Sequence, residues 1–415
     1  MTIRKIVLLA FLLRLGWALA VLFLNPDGIW VYDSYGYWYL AKNLLEHGVF
    51  SQCASLPFDP DYFRTPLYPI LISLFQLLHL NNFFIVLAQA ILSAFTCYFT
   101  MRICEEIFQN RKIVFIAGLI IALDFSSIIF SNFILTETLF SFLFSVYCLF
   151  FVRFLKSNER KFLFYASFFC GLLILCRPIA VFIPVIQAAV LLFRRKKIFI
   201  RITISVFLPL IIISPWLIRN KIAFGEFSIS YLPSHNLMNH HAANVIAEKE
   251  NISYMDAEVK FRTKMIKQFS GDALKQPAEF AGFIRNESMK IIFNDFGIFL
   301  KQHVQNVFGF FAKPIRSYID FQIGNKNTSI LTKILVVLQI ILLTIIYAAF
   351  LKGIFSMKQQ LIFLLFFLLL IFYFANMTVP PFSEARLRIP AMPLIAVISA
   401  MGFYHFRVFL SSKIF

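Results

Sequence analysis

The sequence predicts an all-α, polytopic membrane protein with about ten transmembrane helices. Of its 415 residues, 60% are hydrophobic and only 14% are charged, and 54 are Phe. A soluble protein could not cover so much apolar surface, and many runs approach the ~20 residues needed to cross a ~30 Å hydrocarbon core. The net charge of +18 does not indicate nucleic acid, because the basic residues cluster between apolar runs, which is the pattern of membrane topology.

Ten apolar runs are the predicted spans, and the first of them begins close to the N-terminus. They lie at 6–24, 83–103, 113–131, 134–152, 162–176, 179–193, 199–218, 330–351, 360–377 and 389–406. Within the first run, Ala18-Leu19-Ala20 resembles a signal-peptidase site. The apolar run continues to Leu24 and further spans follow, so we predict an uncleaved anchor.

The distribution of basic residues predicts the orientation. If the N-terminus is cytoplasmic, the inside segments hold 18 basic residues: Arg4, Lys5, Arg102, Arg111, Lys112, Arg153, Lys156, Arg160, Lys161, Arg194, Arg195, Lys196, Lys197, Arg201, Lys352, Lys358, Arg407 and Lys413. The short outside segments hold five: Lys42, Arg64, Arg177, Arg386 and Arg388. The long segment 219–329 is left out, because long translocated regions do not follow the positive-inside rule.

Two further apolar stretches are predicted to lie at the membrane interface. If Pro66–Leu80 ("PLYPILISLFQLLHL") crossed, every later basic cluster would face outward, so we predict an interfacial helix. The run Lys290–Phe311 carries Asp295, Lys301 and His303 and is also predicted to be interfacial. The predicted organisation is an N-terminal transmembrane module (1–218) with its first outer loop at 25–82, a small, mostly helical outer domain (219–329) that caps the site, and C-terminal spans (330–415).

Charged residues collect on the predicted outer face, where an anionic ligand could bind. They are Asp33, Arg64, Glu137, Arg177, Arg219, Glu384, Arg386 and Arg388. Each also has an ordinary structural interpretation. An arginine at a span end often extends to lipid headgroups, Asp33 could be a solvated loop residue, and Glu137 could belong to a helix cap beside Thr136. Arg14 lies within the first span; we predict that it snorkels to the cytoplasmic headgroups rather than acting as a functional charge.

Six local patterns occur in order along the chain: "DSYGYWYLAKNLLEHGVFS", "FRTPLYPIL", "TETLF", "CRPIAVF", "PWLIRNKIAFGEFSIS" and "ARLRIPAMPL". Together they resemble the GT-C superfamily of integral-membrane glycosyltransferases. The likeness is to the polyprenyl-phosphate-sugar branch that includes protein mannosyltransferases and the lipid A aminoarabinose transferase. No single pattern is specific, but their order covers nearly the whole chain.

The resemblance implies a site on the first outer loop. Asp33 matches the catalytic Asp of the family, Arg64 matches a basic residue that contacts the lipid phosphate, and Arg177 matches a position that faces the donor. Interfacial helices are expected at about 34–47 and 66–80. Related members often have an acidic residue after the Asp, whereas Ser34 follows here. This departure gives no support to a metal-bridged site, and no cofactor is predicted.

The chemistry of the outer face agrees with this resemblance. Nucleotide sugars are not supplied there, and the sequence lacks a glycine-rich dinucleotide loop, so the donor is expected to be a polyprenyl-phosphate sugar. Arginines would neutralise the departing phosphate, and Asp33 would take the proton of an acceptor hydroxyl, with inversion at the anomeric carbon. The predicted partners are this donor, membrane lipids and a glycan, lipid or protein acceptor, and the predicted location is a cell membrane.

Two other classes of function, and a cluster of three histidines, have less support in the sequence. A transporter or flippase usually shows internal repeats and broken helices at mid-membrane, which this sequence does not; a membrane scaffold is the weaker alternative. His235, His240 and His241 could bind zinc, but their spacing fits no standard motif, so acceptor contact or ordinary loop chemistry is favoured. Of the six cysteines only Cys53 lies clearly outside, so no disulfide framework is predicted, although a Cys53–Cys176 bond is conceivable.

Overall fold

The computed structural model describes residues 2–193, 198–272, 276–324, 329–378 and 385–413, with side chains described as far as residue 406. Within these ranges the chain is helical and contains no strand. We number its helices α1 (Ile3–Leu24), α2 (Tyr32–His47), α3 (Leu67–Leu77), α4 (Asn82–Phe108), α5 (Arg111–Ala122), α6 (Phe125–Phe130), α7 (Glu137–Ser157), α8 (Arg160–Cys176), α9 (Ile183–Leu192), α10 (Ile198–Phe224), α11 (Leu232–Asn236), α12 (Ala243–Glu250), α13 (Tyr254–Gln268), α14 (Pro277–Asn294), α15 (Phe296–Ala312), α16 (Arg316–Gln322), α17 (Ile330–Ser356), α18 (Leu361–Asn376), α19 (Ala385–Arg388) and α20 (Met392–Lys413). The predicted all-α class is confirmed.

Seven of the helical segments in the described ranges are long and apolar enough to cross a membrane. They are Ile3–Leu24, Asn82–Phe108, Glu137–Ser157, Ile198–Phe224, Ile330–Ser356, Lys358–Asn376 and Ala385–Phe406. The predicted spans 113–131, 162–176 and 179–193 correspond to shorter helices, and the first of these is divided into α5 and α6 because Asp124 caps a new helix. The chain is thus a multi-pass membrane protein, and the number of its crossings stays a prediction.

Helix α7 is the central helix of the bundle. It packs against α4 on one side and α8 on another, and most of its side chains are buried, including Phe140, Phe144 and Phe151. A helix that is apolar all round belongs inside a bundle. Its first residue, Glu137, is therefore held at the end of the most deeply buried helix.

Arg14 does not extend to the headgroups, so that prediction was wrong. The side chain is fully buried, and its Nε donates to Ser93 Oγ at 2.6 Å. Its two terminal nitrogens donate to the carbonyl oxygens of Ile121 at 3.0 Å and Ala122 at 3.1 Å. These carbonyls belong to the last residues of α5, which lack the usual intrahelical partners, and the Ile121 oxygen also accepts the Asp124 N–H at 3.4 Å. The guanidinium therefore satisfies a helix end inside the bundle, where water cannot.

The two helices expected in the first loop are present as α2 and α3. Helix α3 has 11 residues, which is about 16 Å at 1.5 Å per residue and too short for a ~30 Å core. The run 290–311 is divided between α14 and α15 at Asp295, and neither helix is among the seven candidate spans. Both observations agree with interfacial helices, although the structure contains no membrane.

The hydrophilic region after α10 forms a helical cap, which we define as residues 225–324 with helices α11–α16. Helices α11–α14 and the turn Leu237–Ala242 enclose a small apolar core of their own, made by Met238, Phe261, Met265 and Ile284 with their neighbours. Helix α15 connects this core to the bundle, because it packs against α18 and α19. The predicted boundaries of the three regions are not tested by these contacts.

Candidate active site

Five charged side chains from five separate segments form one alternating network. Arg64 donates to Asp33 Oδ1 at 2.8 Å, and Arg386 donates to Asp33 Oδ2 at 3.0 Å. Arg386 also donates through Nε to Glu137 Oε1, and Arg177 donates to the same oxygen at 2.6 Å. The order of contacts is therefore Arg64, Asp33, Arg386, Glu137, Arg177, and the two carboxylates share Arg386.

Asp33 owes its place to the start of α2. It lies in the first turn of the helix, where the positive end of the helix dipole favours a carboxylate. The neighbouring Ser34 is buried, and its hydroxyl accepts a hydrogen bond from the Val31 N–H at 3.1 Å. The Ser34 side chain therefore caps the helix. It does not provide the acidic side chain that related family members often have after the Asp.

Arg64 is positioned by a turn that Asp61 holds. The Asp61 carboxylate accepts the backbone N–H of Arg64 at 2.7 Å and that of Phe63 at 3.1 Å. The guanidinium then lies between the rings of Tyr37 and Phe63, each 4.8 Å away, and donates to the Tyr37 hydroxyl at 3.3 Å. Such stacking fixes a planar cation, so Arg64 presents an N–H at the edge of its guanidinium to Asp33.

Gly36 leaves room for close packing beside this turn. A Cβ atom at this position would come within 2.3 Å of Gln52 Oε1, which is inside van der Waals contact. Gln52 in turn donates to Asp61. The small residue on α2 therefore allows the loop that holds Arg64 to approach the helix closely.

Glu137 and Arg177 meet because α7 begins where α8 ends. Glu137 is the first residue of α7 and has no exposed surface. Arg177 follows the last residue of α8 and has an extended conformation. The carbonyl oxygen of Cys176, the residue before it, accepts a hydrogen bond from the Thr65 hydroxyl at 2.9 Å. This hydrogen bond joins the Arg177 segment to the Arg64 turn, so it holds the two candidate phosphate-binding arginines near one another.

The network opens on a cavity of about 250 Å³. Its lining includes Asp33, Arg64, Arg177 and Arg386 on one side. Burial alone would raise the pKa of Asp33, but the charges of Arg386 and Arg64 outweigh it and hold the pKa well below its usual range. Asp33 is therefore an anion held by two cations, in a cavity that carries more positive than negative charge.

Two of the predicted residues, Arg219 and Arg388, belong neither to the network nor to the lining of this cavity. Arg219 donates to the carbonyl oxygen of Asp61 at 2.7 Å and lies over the rings of Phe50 and Trp216, beside a separate apolar cavity. Arg388 is fully buried and donates to the carbonyl oxygens of Phe310 and Phe311 at the end of α15. Glu384 lies outside the described residues.

The cysteines and histidines are also placed. All six cysteines are free, so there is no Cys53–Cys176 bond. The described residues contain no group of three His, Cys, Asp or Glu side chains arranged to hold a metal ion. His235 and His240 nevertheless line the cavity, whereas His241 packs against Phe299.

Two contributors to the site were not singled out in the sequence, Tyr37 and Asp61. Tyr37 lies four residues after Asp33, which is one turn along the same helix face, so its position could have been found once α2 was placed. Asp61 acts through backbone N–H groups in an irregular loop. Nothing in the sequence pattern distinguishes it from a solvated Asp.

The fold is similar to that of a solved GT-C membrane glycosyltransferase, and the predicted resemblance is confirmed. The chain is similar in structure to the oligosaccharyltransferase of Archaeoglobus fulgidus in its apo form, with a TM-score of 0.53 and 15% identity over 98% of this chain and 52% of that one. The chain thus spans about half the length of that enzyme. ArnT of Cupriavidus metallidurans bound to undecaprenyl phosphate gives a TM-score of 0.45 and 12% identity over 94% of this chain and 76% of that one. Because that score is below 0.5, the structural likeness rests on the oligosaccharyltransferase.

A family comparison adds a more specific relation. Residues 63–218 match the model of the dolichyl-phosphate-mannose-protein mannosyltransferase family, a segment that begins at the Arg64 turn and includes Glu137 and Arg177. No curated protein sequence matches the chain. Together the fold and the family model support a membrane glycosyltransferase.

Proposed function

We propose that the protein transfers a sugar from a polyprenyl-phosphate donor to an acceptor hydroxyl, with inversion, on the extracytoplasmic face of a membrane. The observation that carries this proposal is the network itself: one carboxylate, Asp33, faces a small cavity that three arginines also line. The family model of residues 63–218, which describes enzymes with a lipid-phosphate sugar donor, supports the same donor class. Fold alone would not suffice, because one fold hosts many activities.

In this reaction the acceptor oxygen forms a bond to the anomeric carbon while the bond from that carbon to the phosphate oxygen breaks. The acceptor proton passes to Asp33, and the bonding electrons leave with the polyprenyl phosphate, which then carries a second negative charge. Arg64, Arg177 and Arg386 would neutralise this charge as it develops. Attack opposite the leaving phosphate inverts the anomeric carbon.

The paired state of Asp33 suggests how donor binding would activate it. Two arginines hold the pKa of Asp33 well below its usual range, and such a weak base takes a proton poorly. A donor phosphate competes for the same guanidiniums, so binding would weaken their hold on Asp33 and raise its pKa. The base would then become effective only when a donor is present.

This scheme does not require a metal ion, because the three arginines supply the positive charge that neutralises the leaving phosphate. The transporter alternative is less well supported, since the charged side chains are paired around one small cavity and the family model describes a transferase.

The decisive experiment uses purified protein in nanodiscs with a radiolabelled polyprenyl-phosphate sugar. Asp33→Asn keeps the size of the side chain and removes the base, so we expect retained donor binding and a transfer rate about 10²–10⁴-fold lower. Asp27→Asn is the matched control, because Asp27 is an exposed carboxylate in the same loop, away from the cavity. Turnover near wild type in Asp33→Asn would contradict the role of Asp33, and lack of any sugar release or transfer by the wild-type protein would contradict the function.

A further inference from the structure

The cavity has a second wall, which the proposed chemistry does not use. The cap contributes Leu232, His235, Asn236 and His240 to the lining. None of these residues makes an ion pair with Asp33 or Glu137 in the described part of the chain. The wall therefore stands outside the charge network.

A π-helical turn places the two histidines on one face. Residues Leu237–Ala242 form this turn between α11 and α12. In an α-helix, residues five apart point in different directions, whereas a π-helix repeats at about this spacing. His235 and His240 are five residues apart, and their ring centroids lie 6.1 Å from one another. Single π-turns occur frequently at functional sites.

The wall is fastened to the Arg64 turn and is not a loose loop. The Tyr231 N–H donates to the Tyr62 carbonyl oxygen at 2.8 Å, and the Ser230 hydroxyl donates to the Phe63 carbonyl oxygen at 2.6 Å. The His235 ring meets the Phe63 ring edge to face at 4.9 Å. The histidine wall thus has a fixed position relative to the proposed phosphate site.

The hydrogen bonds of the two histidines determine which ring nitrogens are available to a ligand. The Asn239 amide donates to His235 Nε2 at 2.7 Å, so the neutral ring carries its proton on Nδ1. That buried Nδ1 has no hydrogen-bond partner of good geometry within the described ranges, which is unusual for a buried polar atom. His240 is oriented by the Tyr254 hydroxyl, 2.8 Å from its Nδ1. Burial lowers the pKa of both histidines to about 4, so both are neutral at pH 7.

The charge of the site restricts what can lie against this wall. Three guanidiniums face two carboxylates in the network, which leaves one positive charge. A polyprenyl-phosphate sugar is a phosphodiester and brings one negative charge, so the occupied site is neutral. An ammonium group on the sugar would give the occupied site a net positive charge, and it would have to be desolvated beside three guanidiniums.

We propose that the cap wall of Leu232, His235, Asn236 and His240 binds the donor sugar through its hydroxyl groups and selects an uncharged hexose or pentose over an amino sugar. The cavity of about 250 Å³ is below the ~300–1,000 Å³ of a pocket for a drug-sized ligand. It therefore suits one sugar ring beside a phosphate, with the acceptor presenting only its hydroxyl. This inference rests on the proposed function, because it names the substrate that the same site takes.

The test compares three donors: polyprenyl-phosphate hexose, the corresponding 2-amino sugar and sugar-free polyprenyl phosphate. For the wild type we expect kcat/KM at least tenfold higher with the hexose than with the amino sugar. His235→Ala and His240→Ala should each lower kcat/KM for the hexose about tenfold or more and leave the affinity for sugar-free polyprenyl phosphate unchanged. His235→Gln, which can still donate a hydrogen bond, should recover part of the loss.

The matched control is His241→Ala, because His241 is similarly buried on the same segment but lies outside the cavity lining. If His235→Ala does not fold, Asn236→Ala replaces it in the same two measurements, because Asn236 is half-buried and belongs to the same wall. Equal kcat/KM for both sugar donors, or losses in His241→Ala as large as in the wall variants, would overturn the inference while leaving the transferase activity in place. Absence of turnover with every donor would instead count against the proposed function, and sugar-free polyprenyl phosphate binding weakened by the wall variants would assign the wall to the phosphate.

Discussion

Arg386 makes contacts that a lysine could not reproduce. Its Nε serves Glu137 while one of its terminal nitrogens serves Asp33. A guanidinium can bind two carboxylates in different directions because its donors are spread over a rigid plane, whereas an ammonium is a point charge. Glu137 is fully buried at the start of α7, so its contribution is to hold Arg177 and Arg386 at the cavity wall rather than to contact the acceptor.

Arg64, Arg177 and Arg219, three of the arginines predicted to lie on the outer face, separate into two kinds. Arg64 and Arg177 line the cavity, so Arg64→Ala and Arg177→Ala should each lose about 1.5–3 kcal/mol of charge-assisted interaction. We expect donor affinity to fall at least tenfold in both. Arg219 binds backbone carbonyl oxygens of the first loop, so Arg219→Ala should lower the melting temperature and change donor affinity much less.

Equilibrium binding of polyprenyl phosphate and thermal unfolding in the same detergent measure both quantities. The division between the arginines would be wrong if Arg219→Ala weakened binding as strongly as Arg64→Ala while its melting temperature stayed at the wild-type value.

Arg14 shows what sequence reasoning could not reach at this scale. A charge near the middle of an apolar run has two ordinary fates, snorkelling or a buried partner. The partners of Arg14 are the last carbonyls of α5, which lack their regular helical donors because α5 ends before Asp124 starts a new helix. That break is a tertiary feature, and a pattern that reads as a single span does not reveal it. Asp33, Arg64 and Arg177, in contrast, were found because each stands at the edge of an apolar segment.

At the level of elements, the cap depends on three histidines that stay neutral. Burial lowers the pKa of His235, His240 and His241 to about 4, against 6.5 for an exposed imidazole. At a pH between these two pKa values, the histidines of the unfolded cap bind protons that the same histidines do not bind in the folded cap. The contribution of the histidines is therefore fully present above pH 6.5 and is lost as the pH falls towards 4.

We expect local opening of residues 232–250 to become about tenfold or more favourable between pH 7 and pH 5. Hydrogen–deuterium exchange, corrected for the intrinsic pH dependence of the rate, measures this opening, with α7 as the internal reference. His241→Gln should remove part of the effect because it removes one of the three protons. Equal protection of the cap at both pH values would show that the histidines are not held neutral by the fold.

The helices themselves were largely predictable, and the reason is physical. A helix that crosses hydrocarbon needs about 20 apolar residues, so α1, α4, α7, α10, α17, α18 and α20 are visible as composition alone. The cap was recognised only as a helical region, because its small core is set by contacts such as that between Met238 and Phe261. The π-helical turn was not foreseen, since no residue preference marks the insertion of one residue into a helical turn.

For the whole molecule, the convergence of the site restricts the path of the chain. Asp33, Arg386, Glu137 and Arg177 follow one another in a continuous series of contacts, so the chain must be on the same side of the membrane at all four. Between Asp33 and Glu137 we expect the chain to leave along α4 and return along α5 and α6, without a crossing by α3. The charge distribution predicts that this side is the outside, because the basic clusters follow the opposite ends of the helices.

Single cysteines in a background without the six native cysteines test this topology. Ser55 in the first loop and Asn251 in the cap are exposed, and at these positions a membrane-impermeant thiol reagent should label intact cells. Ser157 and Lys358, exposed at the other ends of α7 and α17, should be labelled only after permeabilisation. The first two positions must share a side, because Tyr231 and Tyr62 join the cap to the first loop. Labelling of Ser55 and Asn251 from opposite sides would contradict the shared cavity, and labelling of Ser55 only after permeabilisation would place the site in the cytoplasm, where a lipid-linked donor would no longer be required.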